Sequence, residues 1–196
     1  MRVIGIVGLP GSGKSEAATV AAELDIPVLT MGDVIRAECR ERGLDITEDN
    51  MGMVATDLRE KGGLAAIADR SLPLIEAHLA DSDVVLVDGI RGGAEVERFE
   101  EAFGDQFVLA SIEVPFETRL ARIRDRGRDP TAEASADLRE RDERELGYGM
   151  GEAMERADVV IENTATLDAF HETIRRLLEG GLDAVDDHPN TKETNE

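Results

Sequence analysis

The sequence is short of aromatic residues (3%, with no tryptophan), holds one cysteine, and carries lysine only at positions 14, 61 and 192. Each scarcity excludes something. With few aromatics, a core has to be made from Val, Ile, Leu, Ala and Met, within a hydrophobic content of 41%. The lone Cys39 cannot close an internal disulfide, which agrees with a reducing cytoplasm. The histidines His78, His171 and His188 are scattered without metal-ligand spacing and read as surface residues. No apolar run approaches the roughly 18 residues of a membrane span, and no secretory leader is read ahead of the first strand. A cytoplasmic protein with no membrane partner is the expectation.

Acidic charge is what the chain has in excess. There are 43 acidic against 22 basic residues, 19 of them arginine, for a formal charge of −21. Such a chain repels nucleic acid and anionic lipid, so neither is expected as a partner. The acids are spread along the whole length, which reads as a solvated surface adapted to high salt, where screening relieves self-repulsion. An ordinary acidic protein is the alternative. At 196 residues the chain suits one α/β domain with small insertions.

The most informative stretch is Gly8-Leu9-Pro10-Gly11-Ser12-Gly13-Lys14-Ser15, which fits the phosphate-loop pattern G-x-x-x-x-G-K-[ST]. Arg2 to Val7 before it is a β-branched apolar run, read as a buried strand. Glu16 to Leu24 after it is alanine-rich with helical spacing. Strand, loop and helix in that order are the context the motif requires. Gly11 and Gly13 let the backbone bring N–H groups close to a polyphosphate, and the helix N-terminus points its dipole at the same anion. Lys14 would reach the β- and γ-phosphates of ATP, and the Ser15 hydroxyl would hold Mg²⁺.

Further strands are read at Ile26 to Thr30, Val84 to Val87, Phe107 to Val114 and Asp158 to Ile161. Helices are read at Asp33 to Arg42, Asp49 to Lys61, Leu64 to Ala80 (with a possible kink at Pro73), Ala94 to Phe103, Phe116 to Arg126, Ala136 to Leu146 and Leu167 to Leu178. The alternation predicts a parallel sheet with helices on both faces and ligands beyond the carboxyl ends of its strands. Gly180 to Glu196 is acidic and nearly free of apolar residues, and reads as a disordered tail.

Polar residues at strand ends supply the other candidates. Asp88 ends an apolar strand, suited either to organising Mg²⁺ or to a turn before Gly89. Asp33 is available as a helix N-cap or as a group orienting or deprotonating an acceptor hydroxyl. Arg119, Arg122 and Arg126 share one stripe of a helix, and Arg128, Arg139, Arg141 and Arg144 follow. Guanidinium groups suit a transferring phosphoryl group, although nearby acids could use them up in surface ion pairs. Arg122, Arg126 and Arg141 are the catalytic candidates, with the rest taken as surface. Met51, Met53 and Met150 read as packing residues.

In this order the motifs resemble the nucleoside monophosphate kinase group of P-loop phosphotransferases, adenylate kinase and dephospho-CoA kinase included, and most closely an archaeal family of such kinase-like proteins. The resemblance runs from Met1 to about Leu178. It implies a P-loop NTPase three-layer fold with five parallel strands in the order 2-3-1-4-5. Thr30-Met31-Gly32-Asp33-Val34-Ile35-Arg36 is similar to the S-T-G-D-x-x-R segment of adenylate kinases, which implies an acceptor-phosphate role for Arg36. Asp88-Gly89-Ile90-Arg91 resembles D-G-F-P-R, implying a second such arginine at Arg91. Val114 to Arg126 is similar to the segment entering the adenylate kinase lid, matching Arg122 and Arg126, and the charged helix after it matches at Arg141. Ala157 to Asn163 is similar to dephospho-CoA kinase. The chain departs from the pattern at Met31, at the missing proline before Arg91, and at Glu95, which stands where adenylate kinases place an adenine-reading glutamine. A carboxylate has no donor for that contact.

The implied domain covers residues 1–179, with an acceptor-binding insertion at about 31–63 and a lid at about 127–146. The expected function is ATP- and Mg²⁺-dependent transfer to a small-molecule acceptor, of the nucleotide class. Lys14, Asp88, Arg122, Arg126 and Arg141 would act on the phosphoryl group, and Asp33, Arg36 and Arg91 on the acceptor. The alternative is a P-loop ATPase switch acting on a protein or ribonucleoprotein partner. GTP is not expected, since no N-K-x-D signature occurs. If the surface is salt-adapted, the protein unfolds on dialysis into low salt and refolds in molar KCl, followed by circular dichroism. A melting curve indifferent to salt identifies an ordinary acidic protein.

Overall fold

The computed structural model describes residues 1–125, 133–185 and 191–193. Strand β1 (Arg2–Val7) lies between β3 (Val84–Asp88) and β4 (Phe107–Glu113). β2 (Val28–Thr30) pairs with β3, and β5 (Val159–Glu162) pairs with β4, all parallel. This is the expected 2-3-1-4-5 order. Parallel pairing demands crossovers that cover both faces, and the apolar strands supply a core on each side. Val3, Val7, Val85, Val87 and Leu109 face one core. Ile4, Ile6, Leu86, Val108, Ala110 and Ile112 face the other. The two-residue period of a strand makes that division.

Helices α1 (Lys14–Glu23) and α9 (Leu167–Gly180) cover the Ile4 face. The opposite face carries α2 (Met31–Glu41), α3 (Glu48–Gly62), α4 (Ala66–Leu79), α5 (Gly93–Phe103) and the short α8 (Met150–Glu155). α4 runs as one helix through Pro73. Phe99, fully buried, is the aromatic centre of this face, with its ring 5.6 Å from that of Phe107. Met51 and Met150 pack there as expected, whereas Met53 is exposed on α3. Helices α6 (Phe116–Asp125) and α7 (Glu133–Gly147) pack on each other above the sheet through Leu120 and Leu138. The segment between them, residues 126–132, lies outside the described residues, and with it Arg126, Arg128 and most of the expected lid loop.

The five parallel strands stand as expected, with one strand added to them, and the reading of the tail needs correction. The sheet has a sixth strand, β6 (Thr191–Glu193), antiparallel to β5. The segment after Gly180 also holds a 3₁₀ turn at Leu182–Ala184 and fully buries Val185 among Ile174, Leu177 and Leu178. An acidic composition hides both, because edge pairing is made by backbone N–H and C=O groups whatever the side chains, and one valine is enough to anchor a turn. Burying a Val side chain contributes about 1.5–3 kcal/mol. Val185→Ala is therefore expected to lower the free energy of unfolding by about 1–2 kcal/mol in a denaturant titration, once retained Cβ burial is discounted; a tail without fixed structure predicts no change.

Candidate active site

The phosphate loop joins β1 to α1 in a conformation that only glycine allows at its ends. Gly13 has φ 116°, and a Cβ there would lie 2.5 Å from Asn163 Nδ2. Gly8 has φ 146°, and its Cβ would lie 2.5 Å from the Ile112 carbonyl oxygen. The loop is thus pressed against β4 and against the turn after β5.

Side chains from those neighbours hold it. Asn163, buried after β5, donates from Nδ2 to the Ser12 carbonyl at 2.8 Å. Arg119 Nη1 donates to the Pro10 carbonyl at 2.9 Å. Lys14, the first residue of α1, folds back and donates from Nζ to the Gly8 carbonyl and, at 3.5 Å, to that of Leu9. Burial pushes the Lys14 ammonium below its ordinary pKa of 10.5, while the nearby Asp88 and Glu145 carboxylates partly offset this.

Arg119 corrects the sequence reading. Taken as a surface residue, it is the most enclosed arginine of α6. Its side chain is 4% exposed and forms a two-pronged ion pair with Asp142 of α7, at 2.8 and 2.7 Å. Its Nε donates to the Val114 carbonyl at 3.2 Å. One guanidinium therefore ties the loop, the start of α6 and α7 together. Arg122 turns the other way and donates to the Asn163 carbonyl at 2.8 Å.

Asp88, at the end of β3, lies level with Ile6 of β1 and Thr30 of β2. Burial raises its carboxyl pKa, with Lys14 and the Gly89 N–H acting against the shift. Its Oδ1 is buried without a hydrogen-bond partner among the described residues. An oxygen in that state accepts a hydroxyl, a water or a hard cation. That oxygen and the exposed Ser15 hydroxyl at the start of α1 are hard donors of the kind Mg²⁺ takes. Among the described residues no three His, Cys, Asp or Glu side chains gather to hold a metal alone.

A cavity of about 300 Å³ opens in front of Lys14 and Asp88. Arg36 from α2, Arg59 from α3, Arg91 after β3 and Arg141 from α7 converge on it, with Met31, Ile35, Met51 and Ile67 as apolar wall. Asp33 does not line it. Thr30 holds the N-cap position of α2, and Asp33 sits exposed in the first turn, ion-paired with Arg36. Glu95 is fully engaged: Oε1 accepts from Arg59 at 3.2 Å and Oε2 from the Arg91 backbone N–H at 2.8 Å. It braces the cavity wall and offers nothing to a base. Arg59 was not singled out from the sequence. Only its position inside the expected acceptor segment pointed to it, and its ring contact with Tyr148, 5.9 Å, is shared with Arg91. A larger cavity of about 440 Å³ lies beside the loop, between Leu9, Ser12, Val114, Met154 and Thr164. Among the described residues Arg119 is its one lining cation, already committed to other partners, so the phosphate chemistry points to the smaller cavity.

A phosphate loop at the end of β1, a carboxylate ending the neighbouring β3, and sheet order 2-3-1-4-5 define a P-loop fold of the kinase-like type. The AAA domain family model matches residues 7–137. A UPF0200 protein of Halobacterium salinarum is 57% identical over 178 residues, 91% of this chain and 93% of that protein. One from Methanosarcina mazei is 49% identical over 184 residues, 94% and 97% of the two chains. The chain belongs to the UPF0200 family of archaeal proteins. The fold is shared with TT1252 from Thermus thermophilus (TM-score 0.56, 21% identity, 85% of this chain and 91% of that one). It is shared also with a gluconokinase from Sinorhizobium meliloti 1021 (TM-score 0.53, 19% identity, 91% and 94%).

Removing one partner of a buried ion pair leaves the other charge uncompensated, at about 3–5 kcal/mol. Asp142→Ala is expected to lose stability of that order in urea or guanidinium titration. Glu140→Ala, which breaks an exposed pair with Arg144, should leave the midpoint where it is.

Proposed function

We propose that the protein is an ATP- and Mg²⁺-dependent small-molecule phosphotransferase. The observation that carries this reading is the convergence of four arginines, 36, 59, 91 and 141, on the cavity that also contains Lys14 and Asp88. A hydrolytic loop alone needs no such cluster. The four arginines and Lys14 outnumber the three carboxylates that line the cavity, and an anionic acceptor, of the nucleotide class, would balance that excess. Lys14 and the loop N–H groups would hold the β- and γ-phosphates, and Ser15 and Asp88 would hold Mg²⁺, which neutralises charge on the phosphate oxygens when bound. Arg141, carried on α7, would face the transferring group. With Arg119 and Asp142 anchoring α7 to the loop, closure over the acceptor would fall to α2 and α3.

The rival reading, an ATPase switch, draws support from the same anchor, since Arg119 links the Pro10 carbonyl to α7 and could pass loop occupancy to a surface. The two separate on an acceptor. With γ-labelled ATP, Mg²⁺ and molar KCl, label should move to a member of a panel of nucleoside monophosphates and dephospho-CoA. Lys14→Ala should lower turnover on the order of 10²–10³-fold. Arg59→Ala should raise the acceptor KM at least tenfold, on the order expected for a lost charge-assisted hydrogen bond, with the ATP KM unchanged. Label appearing only as inorganic phosphate, with every acceptor ignored, favours the switch.

A further inference from the structure

The proposed transfer still lacks a group to take a proton. If the acceptor were a phosphate oxyanion none would be needed, whereas a hydroxyl acceptor requires a carboxylate or similar base within reach. Among the described residues, four carboxylates belong to the region. Asp33 is exposed and paired with Arg36 outside the cavity lining. Glu95 has both oxygens engaged, by Arg59 and by the Arg91 N–H. Asp88 sits at the strand end beside Lys14, where its oxygen suits the cation. The fourth is Glu145.

Glu145 is carried on α7, three residues after Asp142. The Arg119–Asp142 pair fixes that helix to the phosphate loop, so Glu145 is presented at a set position. It lines the same cavity as Lys14, Asp88 and Arg141. Its Oε1 lies 3.5 Å from Arg91 Nη1, and its Oε2 is buried with no hydrogen-bond partner among the described residues. A buried carboxylate oxygen without a donor is costly to keep, and it persists where a ligand supplies the donor. The arginines around it cannot be that ligand's donor, since they call for an anion. A neutral O–H, from a water or from an acceptor alcohol, fits that place.

We infer that Glu145 is a catalytic residue that receives the proton of an acceptor hydroxyl, so that the substrate class is an anionic alcohol rather than a phosphate oxyanion. This rests on the phosphotransferase reading above. The acceptor's anionic group lies among Arg36, Arg59 and Arg91, and its hydroxyl donates to Glu145 Oε2. As the hydroxyl oxygen bonds to the γ-phosphorus, its proton passes to Oε2. The bond from that phosphorus to the β,γ-bridging oxygen breaks, and its electron pair leaves with ADP. The product is a phosphomonoester.

The test uses the full-length protein with γ-labelled ATP, Mg²⁺ and three acceptors: dephospho-CoA, which offers an alcohol, nucleoside monophosphates, which offer both an alcohol and a phosphate, and water. Hot acid destroys a new phosphoanhydride and spares a new phosphomonoester. Acid-stable label is expected, with Glu145→Gln lowering kcat on the order of 10²-fold or more and leaving the acceptor KM within twofold. Glu145→Asp should recover part of the loss, and Arg91→Ala should instead raise the acceptor KM. If water is the one acceptor used, the phosphotransferase reading fails and the inference fails with it. Acid-labile label on the nucleoside monophosphates overturns the inference and leaves the phosphotransferase standing. So does a Glu145→Gln protein with wild-type kcat. Wild-type protein that binds ATP and turns over nothing overturns both.

Discussion

A phosphate loop that offers its N–H groups to a ligand has carbonyls to place elsewhere, and buried carbonyls need donors. Much of this structure follows from that need. The Gly8 and Leu9 carbonyls take the Lys14 ammonium, that of Pro10 takes Arg119, and that of Ser12 takes Asn163. These donors come from α1, α6 and the turn after β5. Satisfying the loop therefore fixes how those elements stand around it. Arg119 carries the constraint furthest, because the charge it brings inside must itself be balanced, and Asp142 does so from α7. The packing of α6 on α7 is then electrostatic at its centre, with the small Leu120–Leu138 contact beside it.

The same logic shapes the cleft. In a chain with a formal charge of −21, five cationic side chains converge on one cavity, and three carboxylates sit among them. Glu95 and Glu145 pair with Arg59 and Arg91, and Asp88 is the largest influence holding the Lys14 ammonium charged against burial. A positive pocket in a negative surface focuses the field on anionic ligands and does so less in salt. In salt, exposed charges are screened more than those in a partly buried cavity.

Several site features were not legible before the structure. The stripe of Arg119, Arg122 and Arg126 is visible in the spacing, but which member turns inward depends on where Pro10 and Asp142 lie, 109 and 23 residues away in the chain. Arg59 looks like any charge on an amphipathic helix until Glu95 is found behind it. Glu145 is one acid in a run of charges, and its orphaned oxygen is a fact of three dimensions. Asp33 misled because a helix can begin two residues earlier than its best capping residue, and here Thr30 is the first outside it. β6 was missed because an edge strand of three residues has no side-chain periodicity to read.

What the sequence determined by itself was the local chemistry. A Gly-x-x-x-x-Gly-Lys-Ser run after an apolar strand can only be built one way, because two positive φ values and a close backbone approach leave no room for a Cβ. The apolar runs likewise dictate a parallel sheet buried on both faces, since their side chains have no solvent-facing alternative. What only the tertiary structure decided was the assignment of charges. Along the chain every arginine and every acid has many possible partners at similar energy. Burial breaks that degeneracy: away from water an ion pair must have close geometry and satisfied donors, so Arg119 and Glu95 became supports while Arg36, Arg59, Arg91 and Arg141 were left facing the cavity.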